Sequence, residues 1–102
     1  MLFLYLYTMA FYTYIIQSEK TGKYYIGSSE DVQKRLQQHN WSRTPSTKTG
    51  IPWELVYTEE FETRSEAVKR EYAIKKKKSR KYIEYLISSP DSYRIGVNLR
   101  LT

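Results

Sequence analysis

Two runs of β-branched and aromatic residues, separated by a short polar turn, constrain the fold more than any other part of the sequence. The first run, from Phe11 to Gln17, reads FYTYIIQ, and the second, KYYIG, covers 23–27. Runs of this composition are typical of β-strands. The intervening SEKTG contains Gly22, a residue type suited to turns. We therefore predict a β-hairpin near the start of the chain.

One helix and one further strand are predicted after the hairpin. Ser28 or Ser29 can cap a helix that runs to about Asn40. The stretch WSRTPSTKTGIP at 41–52 contains prolines and a glycine, and it predicts a loop. The stretch WELVYTEEF at 53–61 has the composition of a third strand.

The second half of the chain predicts two consecutive helices. The tetrapeptide TRSE fits a capping box, in which Thr63 and Glu66 satisfy each other's backbone amides, and the helix should run to about Lys77. Ser79 can cap a further helix through Ile87. The order β-β-α-β-α-α predicts a layered α+β domain, with helices packed on a three-stranded sheet.

The length of the chain sets its domain organisation. The chain has 102 residues, 40% of them hydrophobic, which suits one domain and not two. We assign 9–89 to that domain, 1–8 to an N-terminal extension and 90–102 to a C-terminal tail. The apolar N-terminal stretch is shorter than the roughly 20 residues that cross a bilayer and lacks a basic region before it, and Met9 is an alternative start. We expect a cytoplasmic protein with no membrane partner.

The charge of the chain indicates an anionic partner. The formal net charge is +6 with a pI near 9.5, which favours nucleic acid. The absence of cysteine excludes disulfides, thiolate zinc sites and cysteine nucleophiles. The run KKKKSRK is typical of a solvated face but also suits contacts with phosphates. The cations expected to contact nucleic acid are Lys34, Arg43, Lys48, Lys75, Lys76, Lys77, Lys78, Arg80 and Lys81.

The first predicted helix sets polar groups beside its apolar face. At about 100° per residue, Arg35 and His39 lie on the same side as Val32 and Leu36. Taken alone, Arg35 fits a side chain whose aliphatic stem covers the edge of the core. His39 taken alone fits a structural histidine, so neither residue by itself indicates a functional site.

The second predicted helix contains a carboxylate on its apolar side. Glu71 falls about 40° from Ala67, on the face that also carries Ile74. A carboxylate there is costly to bury unless it is paired. It can form a salt bridge with Arg35 or with a neighbouring lysine, or it can bind a hard cation such as Mg²⁺. Both interpretations stay open. The hairpin tyrosines are typical of packing residues.

Together these residues resemble the GIY-YIG nuclease family over about residues 11–87. Tyr25-Ile26-Gly27 resembles the second half of the name motif, and the triplet that ends in Tyr14 stands where the first half belongs. Arg35 comes ten residues after the motif tyrosine, like the family's helix arginine, and His39 stands one turn later. The resemblance implies a three-stranded antiparallel sheet flanked by helices.

The resemblance also implies a metal-dependent endonuclease that hydrolyses DNA phosphodiester bonds, in repair or processing of DNA structures. The segment EAVKREYAIKK resembles the one that carries the family's metal-binding glutamate, so Glu71 would hold one Mg²⁺ or Mn²⁺. Arg35 would stabilise charge on the phosphate. Tyr14 or Tyr25 would activate or orient the attacking water, and His39 would hydrogen-bond to a tyrosine or to that water. The implied substrate is DNA, with RNA left open, for a monomer or weak dimer without a small-molecule cofactor.

One position departs from the family pattern. Ser28 follows Gly27 where several members carry a lysine thought to help the catalytic tyrosine lose its proton, although Lys23 or Lys34 could compensate. The departure keeps open a non-catalytic nucleic-acid-binding module with the same fold. A structural or protein-interaction domain that uses its surplus tyrosines as an interface is a third interpretation.

Overall fold

The computed structural model describes residues 10–89, in which three strands form an antiparallel sheet with the order β2-β1-β3. The predicted element order and the antiparallel sheet are confirmed, while the assigned extension at 1–8 and the tail at 90–102 lie outside the described residues. The elements are β1 (Phe11–Ser18), β2 (Tyr24–Ser29), α1 (Val32–Asn40), a 3₁₀ helix (Pro45–Gly50), β3 (Trp53–Phe61), α2 (Arg64–Lys77) and α3 (Arg80–Ser88).

The predicted hairpin is present, but its second strand is longer than expected. Ser29 still pairs with Tyr12 of β1, so neither Ser28 nor Ser29 is free to cap a helix. Asp31 caps α1 instead, because its carboxylate accepts a hydrogen bond from the Lys34 amide at 3.0 Å. The predicted cap is therefore wrong by two or three residues, because β2 continues to pair with β1 beyond its aromatic residues, as far as Ser29.

The caps of the two later helices agree with the sequence. Thr63 and Glu66 form the predicted capping box at the start of α2. Ser79 caps α3 by accepting a hydrogen bond from the Tyr82 amide at 3.1 Å. Within 10–89, no helix has both the length and the apolar character needed to span a membrane.

Helices cover both faces of the sheet. Because side chains alternate along a strand, β1 sends Ile15 to one face and Tyr14 and Ile16 to the other. The first face packs under α2 and α3, and the second packs under α1. The result is a three-layer domain with β1 at its centre. The core of the first face comprises Ile15, Ile26, Tyr57, Ile74, Ile83 and Leu86, and that of the second Tyr14, Ile16, Val32 and Trp53.

Candidate active site

The side chain of Tyr14 lies across the backbone of its strand partner, Gly27. Tyr14 is 1% exposed and is paired with Gly27 in the register of β1 and β2. A Cβ atom on Gly27 would lie 2.5 Å from Tyr14 Oη and 2.6 Å from its Cζ, well inside van der Waals contact. The tyrosine ring therefore requires glycine at this position, and its hydroxyl comes to the edge strand of the sheet.

A chain of hydrogen bonds begins at the Tyr14 hydroxyl. Tyr14 Oη lies 2.9 Å from His39 Nε2, and His39 Nδ1 lies 2.8 Å from Thr47 Oγ1. The Thr47 hydroxyl in turn donates to the carbonyl oxygen of Thr44 at 3.2 Å. The chain joins β1, the last turn of α1 and the 3₁₀ helix through side chains that are almost fully buried.

Burial keeps both Tyr14 and His39 neutral. Burial, reinforced by the Arg35 charge, lowers the pKa of His39 to about 4. The imidazole is therefore neutral at pH 7, with one bare nitrogen that can accept a hydrogen bond. Burial also raises the pKa of the Tyr14 hydroxyl above its ordinary value, although the charge of Arg35 and a hydrogen bond from it oppose the rise. Tyr14 therefore holds its proton at neutral pH.

Other residues predicted for the site surround the same hydroxyl. Besides burial and Arg35, Tyr25 and Glu71 also affect the pKa of Tyr14, and both raise it. Because electrostatic interactions weaken with distance, these groups lie near Tyr14, although β2, α1 and α2 carry them. Tyr25 also packs against His39, with ring centroids 4.9 Å apart. The structure thus brings the other four predicted catalytic residues near the hydroxyl of Tyr14.

Arg35 is held on α1 by a neighbour on the same helix. Its Nη1 donates to Gln38 Oε1 at 2.9 Å, and its side chain is half-buried. This bond orients the guanidinium without neutralising its charge. A half-buried Arg35 is compatible both with the expected packing of its aliphatic stem and with the expected catalytic position.

Glu71 lies on α2 between the buried residues Ala67 and Ile74. Its side chain is 16% exposed and pairs with Lys75, with Nζ 2.5 Å from Oε2, which is one of the pairings left open by the sequence. Within 10–89, no group of three or more histidine or acidic side chains is arranged to hold a metal ion. Mg²⁺ nevertheless binds through one or two carboxylates together with water and substrate phosphate. A single cation shared with a bound phosphate therefore fits Glu71, whereas an all-protein cage does not.

The nine cations predicted to contact nucleic acid are all exposed. Lys75 and Arg80 line a cleft of about 380 Å³ beside β2 and the junction of α2 and α3, together with Lys23 and Lys78. The described residues that line this cleft include no carboxylate. Arg80 also stabilises the fold, because its guanidinium lies 4.7 Å from the ring centre of Tyr24. The cleft and its rim suit an anionic partner.

Thr47 is a site residue that the sequence does not predict. The stretch 41–52 is polar and predicts a loop, but a 3₁₀ helix at Pro45–Gly50 buries Thr47 to 1% exposure. The available signal is Pro45, because proline is favoured in the first turn of a helix. No periodic apolar pattern accompanies it.

Comparison with known proteins gives one family and several relatives. A family model described as the GIY-YIG catalytic domain matches residues 10–83. A UPF0213 protein of Staphylococcus saprophyticus is 46% identical over 65 residues, which cover 63% of this chain and 78% of the relative. A UPF0213 protein of Staphylococcus aureus is 43% identical over the same coverage. The solution NMR structure of the UPF0213 protein BH0048 from Bacillus halodurans is 29% identical and covers 85% of this chain and 95% of its own, with a TM-score of 0.49.

Proposed function

The chain belongs to the GIY-YIG family, and from this premise we propose that it is a divalent-metal-dependent endonuclease that hydrolyses DNA phosphodiester bonds in the repair or processing of DNA structures. The observation that carries the proposal is the surrounding of one buried hydroxyl, that of Tyr14, by an imidazole, a guanidinium and a carboxylate. This combination supplies a proton acceptor, an anion-stabilising cation and a ligand for a hard metal ion.

The tyrosines and His39 act on the attacking water. Tyr14 and Tyr25 lie on the same face of the sheet, and both are close to the imidazole of His39. A tyrosine hydroxyl can orient a water by hydrogen bonding, and the bare nitrogen of the neutral imidazole can accept a hydrogen bond from that hydroxyl. A tyrosine and His39 therefore act together as the general-base side of the site.

Arg35 acts on the phosphate. Its charge is fixed beside the Tyr14 hydroxyl by the bond to Gln38. As water attacks, negative charge accumulates on the phosphate oxygens, and a preorganised guanidinium stabilises that charge more in the transition state than in the ground state. Arg35 also opposes protonation of His39, which keeps the imidazole neutral and able to accept a hydrogen bond.

Glu71 is the residue that would hold Mg²⁺ or Mn²⁺. When bound, such an ion supplies Lewis-acid stabilisation of the phosphate and the leaving oxygen. Lys75, which pairs with Glu71, keeps a cation beside the carboxylate. The exposed cations of α2 and α3 bind the phosphates on either side of the bond that is cut.

Cleavage assays test the proposal. Single-stranded, duplex, flapped and branched DNA are incubated with Mg²⁺ and with Mn²⁺, using the wild type, Glu71→Ala and Glu62→Ala. We expect Glu71→Ala to reduce cleavage by about 100-fold or more, with its circular dichroism unchanged. Glu62 is an exposed carboxylate just before α2, so Glu62→Ala should cleave like the wild type. Equal cleavage by the wild type and Glu71→Ala would contradict the proposed role of Glu71.

A non-catalytic nucleic-acid-binding module is the second candidate. The observation that favours it is Ser28, which follows Gly27 where several family members carry lysine and which pairs with Thr13 on the other face of the sheet. This candidate predicts salt-sensitive binding of DNA without cleavage by any variant. In that outcome, Ser28→Lys is the next variant to assay for cleavage.

A further inference from the structure

The hydrogen bonds around His39 determine which of its nitrogens carries the proton. The Thr47 hydroxyl has one hydrogen, and the Thr44 carbonyl oxygen, at 3.2 Å, can only accept it. With the hydroxyl hydrogen directed at that carbonyl, Thr47 Oγ1 is the acceptor at its 2.8 Å contact with His39, and the donor there is Nδ1–H. Because the imidazole is neutral, Nε2 is bare and accepts the hydrogen of the Tyr14 hydroxyl at 2.9 Å.

The 3₁₀ helix that carries Thr47 is fixed from two sides. The indole Nε1 of Trp53 donates to the Thr47 carbonyl oxygen at 2.7 Å. The hydroxyl of Ser18 donates to the Gly50 carbonyl oxygen at 2.6 Å, and the Trp53 ring fills the space where Gly50 would carry a Cβ atom. A buried hydroxyl held this firmly selects one tautomer of the histidine that it contacts.

We propose that Thr47 is a positioning residue that holds His39 in the Nδ1–H tautomer and thereby makes Nε2 the acceptor of the Tyr14 proton. The inference rests on the proposed nuclease function, and it selects Tyr14 over Tyr25 as the tyrosine that acts on the water. It also assigns a role to a residue outside the motifs that carry the family resemblance.

The resulting proton transfer is balanced. The water oxygen forms a bond to phosphorus as one of its O–H bonds breaks, and that proton passes to Tyr14 Oη. The original hydroxyl proton of Tyr14 passes to His39 Nε2, which leaves an imidazolium that still donates through Nδ1 to Thr47. The P–O bond breaks with its electron pair on the leaving oxygen, which takes a proton from solvent. The extra proton of His39 returns from Nε2 to Tyr14 Oη as Tyr14 gives up its own proton, which reverses the first transfer.

This transfer accounts for the serine at position 28. A tyrosine that passes a proton along never has to exist as a free tyrosinate, so its high pKa does not prevent catalysis. The bare nitrogen of His39 would take the place of a lysine that helps the tyrosine to ionise. Because the pKa of His39 is about 4, it can take the proton only in concert with the attack and not before it.

Nitrogen NMR tests the assignment directly. The chain contains a single histidine, so protein made with ¹⁵N-labelled histidine and a histidine-free purification tag gives one imidazole signal set. In the wild type at pH 7 we expect Nδ1 to be protonated and Nε2 bare. In Thr47→Val, which keeps the shape but removes the hydroxyl, we expect a mixture of tautomers or the Nε2–H form. Thr47→Ser should restore the wild-type spectrum.

Cleavage rates provide the second readout. We expect Thr47→Val to lower kcat by roughly 10- to 100-fold with little change in KM, a part of the 10²- to 10⁴-fold effect typical of a general base. Thr47→Ser should recover most of the rate. Thr49→Val is the matched control, because Thr49 is an exposed threonine on the same 3₁₀ helix, and both its spectrum and its rate should match the wild type.

The outcomes separate this inference from the proposed function. A wild-type spectrum with Nε2 protonated, or a Thr47→Val variant with wild-type tautomer and rate, would overturn the positioning role. If the wild type cleaves no substrate under any condition, the nuclease function and the proton transfer fail. The spectra of Thr47→Val and Thr47→Ser would still decide whether Thr47 sets the tautomer.

Discussion

At the scale of single residues, the buried imidazole of His39 makes stability depend on pH. The pKa of His39 is about 4 in the folded protein, against 6.5 for an ordinary histidine. Above about pH 6.5, His39 is neutral in both the folded and the unfolded protein, so it causes no loss of the free energy of unfolding. As the pH falls towards 4, the unfolded chain takes up a proton that the folded protein does not, so stability is lost. Between about pH 7.5 and pH 5, we expect this residue to account for a loss of about 2 kcal/mol.

Urea denaturation at the two pH values measures this loss. Carboxylates also titrate near pH 5, so His39→Gln, whose side chain is neutral throughout, is the reference for the remaining groups. We expect the free energy of unfolding to fall more steeply in the wild type than in His39→Gln. Arg35 on α1, Tyr14 on β1 and Tyr25 on β2 surround the imidazole, and both proteins retain them. Parallel pH dependences would show that the imidazole is not held neutral.

Individual site residues differ in how far the sequence predicts them. Helical spacing sets Arg35, His39 and Glu71 beside apolar residues, but only the resemblance to the GIY-YIG family assigned them to one site. Thr47 was not predictable, because its importance comes from one contact with His39 across a turn. Its sequence neighbours are polar, and no periodicity distinguishes it from exposed threonines nearby.

At the scale of elements, the side chain of Asn40 joins the end of α1 to the start of β3. Its Nδ2 donates to the Trp53 carbonyl oxygen at 3.0 Å, and its Oδ1 accepts from the Trp53 amide at 2.6 Å. These two hydrogen bonds resemble those that a backbone residue of a neighbouring strand would form with Trp53. We expect Asn40→Ala to lower the free energy of unfolding by about 2 kcal/mol, at roughly 1 kcal/mol for each hydrogen bond lost.

Chemical denaturation checks this value. Asn40→Asp keeps the acceptor and loses the donor, so its stability should lie between those of the wild type and Asn40→Ala. Gln37→Ala, at an exposed position of the same helix, controls for a change in α1 itself and should alter stability by less than about 0.5 kcal/mol. A stable Asn40→Ala variant would mean that packing alone joins α1 to β3.

Element boundaries were predictable where local chemistry decides them. The capping box of α2 and the Ser79 cap of α3 depend on residues three positions apart, and both predictions are confirmed. The end of β2 was not predictable in this way, because Ser29 remains in the strand through pairing with Tyr12, a residue of β1. Tertiary pairing overrides local preference at that boundary.

At the scale of the whole molecule, the net charge of +6 should make nucleic-acid binding depend strongly on salt. For duplex DNA, the logarithm of the binding constant falls with the logarithm of salt concentration by about 0.9 for each phosphate contact. Lys76 and Lys81 are exposed and belong to the predicted contact set. Replacing both with glutamine should make the slope less steep by up to about 1.8.

Fluorescence anisotropy over a series of salt concentrations measures the slope. The double variant Lys20→Gln/Lys69→Gln removes the same charge from exposed lysines outside the predicted set. Its slope should stay close to that of the wild type. Equal slopes for the two double variants would indicate that only the total charge matters and that Lys76 and Lys81 contact no phosphate.

The overall architecture was largely predictable, since the order of elements follows from composition and turns. Runs of aromatic and β-branched residues marked all three strands, and capping signals marked the later helices. The distribution of helices over the two faces was harder to predict from the sequence, because it depends on how the connections pass around β1. The gathering of Tyr14, His39 and Glu71 around one point likewise required the three-dimensional packing of separate layers.

The central position of β1 has a consequence for the order in which a newly made chain can fold. β1 and β2 leave the ribosome before the other described elements and are adjacent in sequence, so the hairpin can close through local contacts. The other edge of β1 stays open until β3 emerges, and α2 with Glu71 follows later still. A nascent chain can thus bring its tyrosines together long before the carboxylate arrives. Translation itself therefore keeps the proposed hydrolytic centre incomplete until most of the domain has been synthesised.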